Sequence, residues 1–425
     1  MILRSHDPPG YEKLEIHRRL MRLSLFKNTI LLFVLLAFSC GNGTPASNPI
    51  VPGPDLAEET VEPLQLGADR SEHYLPLMHG KTIGVIANQT ARLSNNDIHL
   101  VDHLLANGVS VKGVFAPEHG FRGTADAGEE VKDGIDTKTG LPIISLYGKN
   151  KKPNPEQLAG IELLVFDIQD VGARFYTYIS TLHYVMEAAA KQGIEVLVLD
   201  RPNPNGHYID GPILEPEHQS FVGMHPIPVV HGMTIAEYAQ MINGQGWLKD
   251  GKKCTLSVVA MEGYSKEMAY SLPIKPSPNL PNDVAINLYP SLCFFEGTPV
   301  SAGRGTEKQF QIFGSPKLPA EHFPYQFTPG PNKGAKYPKF DGKTCNGMDL
   351  SGHKRIARID LHWLIEAYAG YGKPKDFFTP FFAKLAGTKT LQQQIEQGYT
   401  AAEIRKSWRK DLEDYDKMRQ AYLLY

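Results

Sequence analysis

The chain predicts an α/β fold, a parallel sheet covered on both faces by helices, and two observations carry that expectation. Short runs rich in Val, Ile, Leu and Phe alternate with stretches of helical spacing, the pattern of buried parallel strands and their crossover helices. Three of those runs also end in acid: Val111–Ala116 leads into Glu118, Leu163–Phe166 into Asp167 and Asp170, and Val196–Leu199 into Asp200. Ligands of open α/β sheets lie beyond the carboxyl ends of the strands, so these acids are expected to line one crevice.

Taken in order, Lys81–Ala87 reads as the first strand, ending at Asn88-Gln89-Thr90. Asp97–Ala106 carries apolar residues at helical spacing and stops at Asn107-Gly108. The strand before Glu118 follows, then a loop rich in Gly and acid, Gly120–Thr139, containing Glu129, Glu130, Asp133 and Asp136. Pro142–Leu146 is a further strand, and Ser180–Gln192 a helix closed by Gly193. After Asp200 comes a Pro- and Asn-rich segment, then a helix over Thr234–Ile242 and a strand over Thr255–Ala260. The proline-rich stretch Pro273–Asp283 marks a boundary between a domain over 72–285 and a second over 286–425. The second opens on Tyr289 and runs through a Pro-, Lys- and Gly-rich loop region at Pro316–Asn346. It closes with helices over Asp360–Tyr368, Asp376–Leu385 and Ala401–Leu424.

Composition excludes several classes. At 425 residues with 42% hydrophobic and 21% charged residues, the body is that of an ordinary globular protein of two domains. A net charge of -2 and the lack of a basic run give no reason to expect nucleic acid. No Gly-x-Gly-x-x-Gly follows the first strand and no P-loop is present, so no nucleotide cofactor is expected. Cys254, Cys293 and Cys345 are odd in number and far apart, and His119, His225 and His231 share no ligand spacing, so neither a disulfide framework nor a metal site is expected.

The N-terminus differs from the body. Arg22 and Lys27 precede the unbroken apolar stretch Ile30–Phe38, which is too short to cross a bilayer and fits the core of a signal peptide. Ser39-Cys40-Gly41 resembles a bacterial lipobox, with Cys40 the lipidated residue, and Met21 makes a cleaner start than Met1. Residues 1–40 are thus read as signal and lipobox, and 41–71 as a flexible tether. The expectation is an exported lipoprotein held at a membrane, on the periplasmic side.

Glu118-His119-Gly120 is the first candidate for chemistry. A carboxyl just past a strand, beside Pro117 and Phe121, suits a proton donor in a partly dry site. Asp167 and Asp170 are candidate partner carboxylates, or one of them holds Arg174 in a salt bridge. The rings of Phe175, Tyr176 and Tyr178 either face the crevice and stack on a sugar or pack inward. Asp200-Arg201-Pro202-Asn203-Pro204-Asn205 offers paired donors and acceptors for hydroxyls or an acetamide, although Asn also stabilises turns by itself. His231 stands at a helix start. Glu296-Gly297 and Arg304-Gly305-Thr306 are glycine-flanked, and Arg304 suits a carboxylate or pairs with an acid on the surface.

Six ordered blocks together resemble the exo-β-N-acetylmuramidase family of the NamZ type. They are Gly84–Thr90, Phe115–Gly123, Phe166–Tyr178, Leu199–Gly206, Pro278–Pro281 and Phe295–Thr298 with Gly303–Thr306, and the likeness runs from about residue 80 to the C-terminus. The resemblance implies a Rossmann-like parallel-sheet domain, a smaller α+β C-terminal domain completing the cleft, and release of N-acetylmuramic acid from the non-reducing end of peptidoglycan-derived glycans. Glu118 is then the general acid. Asp167 is the first choice for the second acid, with Glu130 and Asp170 behind it and His119 beside them. Arg304 or Arg174 would meet the lactyl carboxylate of muramic acid. Asn88, Tyr176, Asp200, Arg201, Asn203, Asn205, His231, Asn279, Glu296 and Thr306 complete the expected substrate site. A lipid-anchored sugar-binding protein without catalysis is the alternative.

Overall fold

The computed structural model describes residues 63–122 and 133–425. The signal stretch, Cys40, most of the tether and Glu130 lie outside the described residues.

The main sheet has seven strands: β1 (Thr82–Ala87), β2 (Ser110–Ala116), β3 (Gly134–Ile135), β4 (Pro142–Ser145), β5 (Leu163–Asp167), β6 (Glu195–Leu199) and β7 (Leu256–Val259). Their order is β3-β4-β2-β1-β5-β6-β7, parallel throughout except for β3, which runs antiparallel to β4. The predicted parallel α/β class is therefore present. β3, only two residues long, has no periodicity to read. After β1 the chain builds outward through β2 and β4, then returns to the other side of β1 with β5. That reversal opens a crevice at the carboxyl ends of β1, β2 and β5, where a doubly wound sheet binds its ligand.

Side chains alternate across the sheet and feed two cores. On one face Ile86, Phe115, Leu164 and Phe166 pack with Leu182 and Val185 of the helix Tyr178–Gln192. On the other, Val85, Val114, Leu163 and Val165 pack with Tyr74 and Leu104 of the helices Ser71–Met78 and Leu100–Ala106. Each such buried Leu, Val or Phe stabilises the fold by roughly 1.5–3 kcal/mol. The first core runs on without a break into Phe294, Phe313, Trp363 and Trp408.

The C-terminal part departs from its reading. Within and beside the expected loop region, β8 (Ile312–Ser315), β9 (Tyr325–Phe327) and β10 (Cys345–Asp349) form an antiparallel sheet in the order β8-β10-β9. These strands are short and include Gly314, Asn346 and Gly347, so no alternation betrays them. A helix, Asp283–Leu292, begins at an Asn282 cap that accepts the Ala285 N–H at 3.0 Å, and it tolerates Pro290 inside its last turn. The helices His362–Gly370, Pro380–Ala386 and Ala401–Arg419 fall where helical spacing places them, and Thr390–Glu396 adds one more.

Two contacts fix the loops above the sheet edge. Gly172 adopts φ 76°, and a Cβ there would stand 2.2 Å from the Asn203 side-chain oxygen, so the loops after β5 and β6 touch only because that residue lacks a side chain. Gly172→Ala is expected to cost about 1–3 kcal/mol, read as a lower urea midpoint at unchanged slope.

Asp200, fully buried after β6, accepts the Ala236 N–H at the start of the helix Ile235–Gly244 (3.0 Å) and the Tyr425 hydroxyl (2.9 Å). Burial pushes its carboxyl up to about 7. An unfolded Asp gives up its proton near pH ~3.9, so between there and neutrality the folded state holds a proton that the unfolded state has lost. This site's contribution therefore makes stability fall as pH rises from about 4 to about 7. Thermal melts across that range should show the decline, and Asp200→Asn should flatten it.

Candidate active site

Glu118 leaves β2 in a turn closed by the Gly120 N–H donating to the Pro117 carbonyl at 3.0 Å. His119, at φ 73°, occupies the turn position that needs a left-handed backbone, and it is buried. A non-glycine residue held there costs on the order of 1 kcal/mol and persists where its surroundings leave it no alternative. The surroundings are visible around Glu118. Its carboxylate accepts from Thr177 Oγ1 at 3.0 Å. Tyr178, whose hydroxyl accepts from Asn88 Nδ2 at 2.9 Å, shares its own proton between the carbonyls of Glu118 (3.3 Å) and Pro276 (3.4 Å). Burial, then the charge of Glu118 and a hydrogen bond to it, push the Tyr147 hydroxyl upward, so that phenol stays protonated beside the carboxylate.

Glu118 and His119 open onto a narrow well walled by Phe175, Tyr176, Tyr178, Tyr289 and Phe310, with Ser277, Asn279 and Arg304 as its polar side. The aromatic run after β5 thus lines the crevice. Tyr176 is pinned edge-on against Tyr178 (4.9 Å) and donates to the Pro276 carbonyl at 2.8 Å. Free space in the well is only ≈ 60 Å³, room for one edge of a sugar. Arg304 Nε donates to Glu296 at 2.9 Å, and its guanidinium lies 5.1 Å from the Phe310 ring centre. Its terminal nitrogens make no hydrogen bond among the described residues. Asn279, almost fully buried, donates its amide nitrogen to the Gly334 carbonyl at 2.8 Å, which leaves its Oδ1 without a partner. Among the described residues the well therefore presents one carboxylate and one cation against aromatic walls. That combination suits a sugar bearing an anion.

Asp167 and Asp170 do not join Glu118. Asp167 has no exposure, and both its oxygens are taken by Arg201, at 2.5 Å to Nε and 2.9 Å to Nη2. Arg201 also donates to the Arg92 carbonyl (2.9 Å), so this fork ties the ends of β1, β5 and β6 together. Asp170 is buried, accepts the Gly172 N–H at 2.7 Å and faces His231 at 3.7 Å. Glu118 is the one carboxylate lining the well among the described residues.

Several expected ligand contacts are instead turn scaffolding. Asn88 spends its Oδ1 on Thr90. Asn203 bonds the Met233 carbonyl (2.9 Å) and the Asn205 N–H (2.9 Å), while Asn205 bonds the Val171 and Ile286 carbonyls (2.9 and 3.1 Å). His231 accepts from the Met233 N–H at 3.3 Å, and Thr306 donates to the Gly303 carbonyl at 2.7 Å. Asp200 serves the helix cap described above. Arg174 forms no salt bridge with Asp167 or Asp170 and never reaches the well. Its guanidinium is fully buried and donates to the carbonyls of Pro212, Ile227, Leu385 and Ala386 at 2.6–3.0 Å.

Thr177, Tyr147, Ser277, Tyr289 and Phe310 were not foreseen. Tyr147 follows β4 and was open to the same strand-end argument as Glu118. Tyr289 and Phe310 arrive from distant sequence with no local signal. Among the described residues, the ligand atoms close enough together to hold a metal ion are those of Glu215, Glu217 and His218, none of which lines the well.

Two family profiles match the chain: that of the exo-beta-N-acetylmuramidase NamZ N-terminal domain over residues 83–284, and that of its C-terminal domain over residues 287–425. The peptidoglycan beta-N-acetylmuramidase NamZ of Bacillus subtilis is 39% identical over 94% of this chain and its own full length. Two crystal structures of DUF1343 family proteins from Bacteroides fragilis share the fold, each across 85% of this chain and 99% of its own. One has TM-score 0.79 at 44% identity and the other 0.73 at 32%. With the acid-bearing turn, the aromatic well and both halves of the sequence in agreement, the chain belongs to the exo-β-N-acetylmuramidase NamZ family.

Proposed function

We propose that this protein is an exo-acting glycoside hydrolase that releases N-acetylmuramic acid from the non-reducing end of peptidoglycan-derived glycans, serving recycling or scavenging of the cell wall. The observation that carries the reading is Glu118, held by Thr177 and lining an aromatic well. The exo mode of action is that of the family to which the chain belongs.

In this reading Glu118 protonates the departing glycosidic oxygen, with the Thr177 and Tyr147 hydroxyls fixing the carboxyl's direction. Arg304, steadied by Glu296, meets the lactyl carboxylate. Asn279 and the rings of Tyr176 and Tyr289 line the space that receives the sugar. Replacing Glu118 by Gln keeps the shape and removes the proton. Glu118→Gln should lower kcat for a chromogenic β-N-acetylmuramide by about 10²-fold or more while leaving the melting temperature within a few degrees. Undiminished turnover would refute the assignment.

We further propose that the chain is exported and anchored through a lipid on Cys40, on the periplasmic side of a membrane. The motif Ser39-Cys40-Gly41 behind the apolar stretch Ile30–Phe38 supports this. Cys40→Ser should abolish labelling by a fatty-acid probe and move the protein from the membrane to the soluble fraction.

A further inference from the structure

The segment after β6 carries a cluster of donor atoms that takes no part in the site described above. Its sequence is Glu215-Pro216-Glu217-His218. Pro216 enters a single 3-10 turn with its φ already set, and the His218 N–H closes that turn on the Glu215 carbonyl at 3.0 Å. One carboxylate oxygen of Glu215, one of Glu217 and a ring nitrogen of His218 then lie within 4.8 Å of one another. The histidine is the informative member. Its side chain is only 9% exposed, and its Nε2 is buried with no hydrogen-bond partner among the described residues. That atom stands 3.7 Å from Glu215 Oε2 and 3.7 Å from Glu217 Oε1, so it is aimed at both carboxylates.

An imidazole lone pair facing two anions is repelled by both unless a positive charge lies among them. A proton on Nε2 would draw an oxygen in to about 2.7–2.9 Å, the length of a charge-assisted hydrogen bond. Separations of 3.7 Å suit a larger cation. With bonds of about 2.0–2.2 Å, a tetrahedral ion holds its donor atoms roughly 3.3–3.6 Å apart. Glu215 is also oriented from outside the turn. Its N–H donates to the Gly387 carbonyl at 2.8 Å, and its Oε1 accepts from Thr388 Oγ1 at 2.6 Å, which turns Oε2 toward the histidine. A hydrogen bond of this kind fixes a ligand carboxylate in metal sites. Glu217 is exposed, so it closes on an ion without disturbing the fold.

We infer that Glu215, Glu217 and His218 bind a divalent cation of the zinc class, held by one imidazole nitrogen and two carboxylate oxygens with water completing its shell. That donor set suits zinc better than calcium or magnesium, whose shells are built of oxygen. The site stands apart from the well, which none of the three residues lines. Through Glu215 it joins the segment after β6 to Gly387 and Thr388, at the corner where Arg174 meets the carbonyls of Leu385 and Ala386. A bound ion adds a second fastening to that corner.

The test titrates the untagged full chain, stripped with a chelator and dialysed, with zinc chloride by calorimetry and records its thermal melt with and without the metal. The wild type should take up one zinc per chain and melt roughly 2–4 °C higher once free zinc is about a hundred times its Kd. His218→Ala and Glu217→Gln, made separately, should each lose about 100-fold or more in affinity and should lose the rise in melting temperature. Thr388→Val, which removes only an outer partner, should cost about 10-fold. Glu217 lies on the surface, so its variant decides the matter where the histidine variant fails to fold. No uptake by the wild type overturns the site. Uptake whose affinity is unchanged within two-fold in the folded variants overturns it as well, since the zinc then sits on other groups.

Discussion

A guanidinium buried without a counter-ion holds this architecture together. Arg174 has no exposure, and no carboxylate among the described residues pairs with it; its charge is met by four backbone carbonyls. Taking such a charge out of water costs several kcal/mol, and burial pulls its pKa down to about 9, still charged at neutral pH. Two of the carbonyls follow β6 in the chain and two, Leu385 and Ala386, close the helix Pro380–Ala386. The arrangement therefore exists only when both parts of the chain are in place. Directly after Arg174 run Phe175, Tyr176, Thr177 and Tyr178, which wall the well and bond Glu118. The clasp that joins the parts thereby also sets the position of the acid.

The sheet edge repeats that logic with carboxylates. Asp167 forks onto Arg201 and Asp200 caps a helix and meets the C-terminal Tyr425, each with both oxygens engaged, while Asp170 is buried beside His231. Three acids delivered to one rim look alike in the sequence, but a buried carboxylate is stable only with partners, and partners remove it from chemistry. Glu118 differs in being only half buried, and its carboxylate accepts from the Thr177 hydroxyl. The frame is made rigid by the acids so engaged.

The flanks of the segment 123–132 are fixed as firmly as its neighbours. Arg122 forks onto Asp136 at 2.8 and 2.7 Å and also meets Asp102 at 3.3 Å. The Arg122 guanidinium holds the Asp136 carboxyl far below the usual carboxylate range. Within the acid-rich stretch Gly120–Thr139 read from the sequence, this ion pair anchors Asp136, next to β3, to Asp102 of the helix Leu100–Ala106. The acids Asp133 and Asp136 of that stretch serve the frame as well, Asp133 by accepting the Ser145 N–H at 2.7 Å.

Period, composition and strand ends were legible in the chain because they are local. Runs of Val, Ile and Leu placed β1, β2, β5 and β6, the Thr234 cap placed a helix, and the turn after β2 placed Glu118 at the rim. Short strands such as β3 and β9 left no period to find. Which way a rim residue faces was not legible, since an Asp that forks onto an arginine and an Asp that meets a substrate look alike until the partner is found. Those partners come from far along the chain: Arg201 for Asp167, Tyr425 for Asp200, Leu385 for Arg174. The sequence by itself determined the α/β class and the family likeness, and it put Glu118 just past the end of β2. Packing decided that Asn279, Tyr289 and Arg304 face that acid while Arg174 and Asp167 do not, because burial and pairing are properties of residues brought together in space.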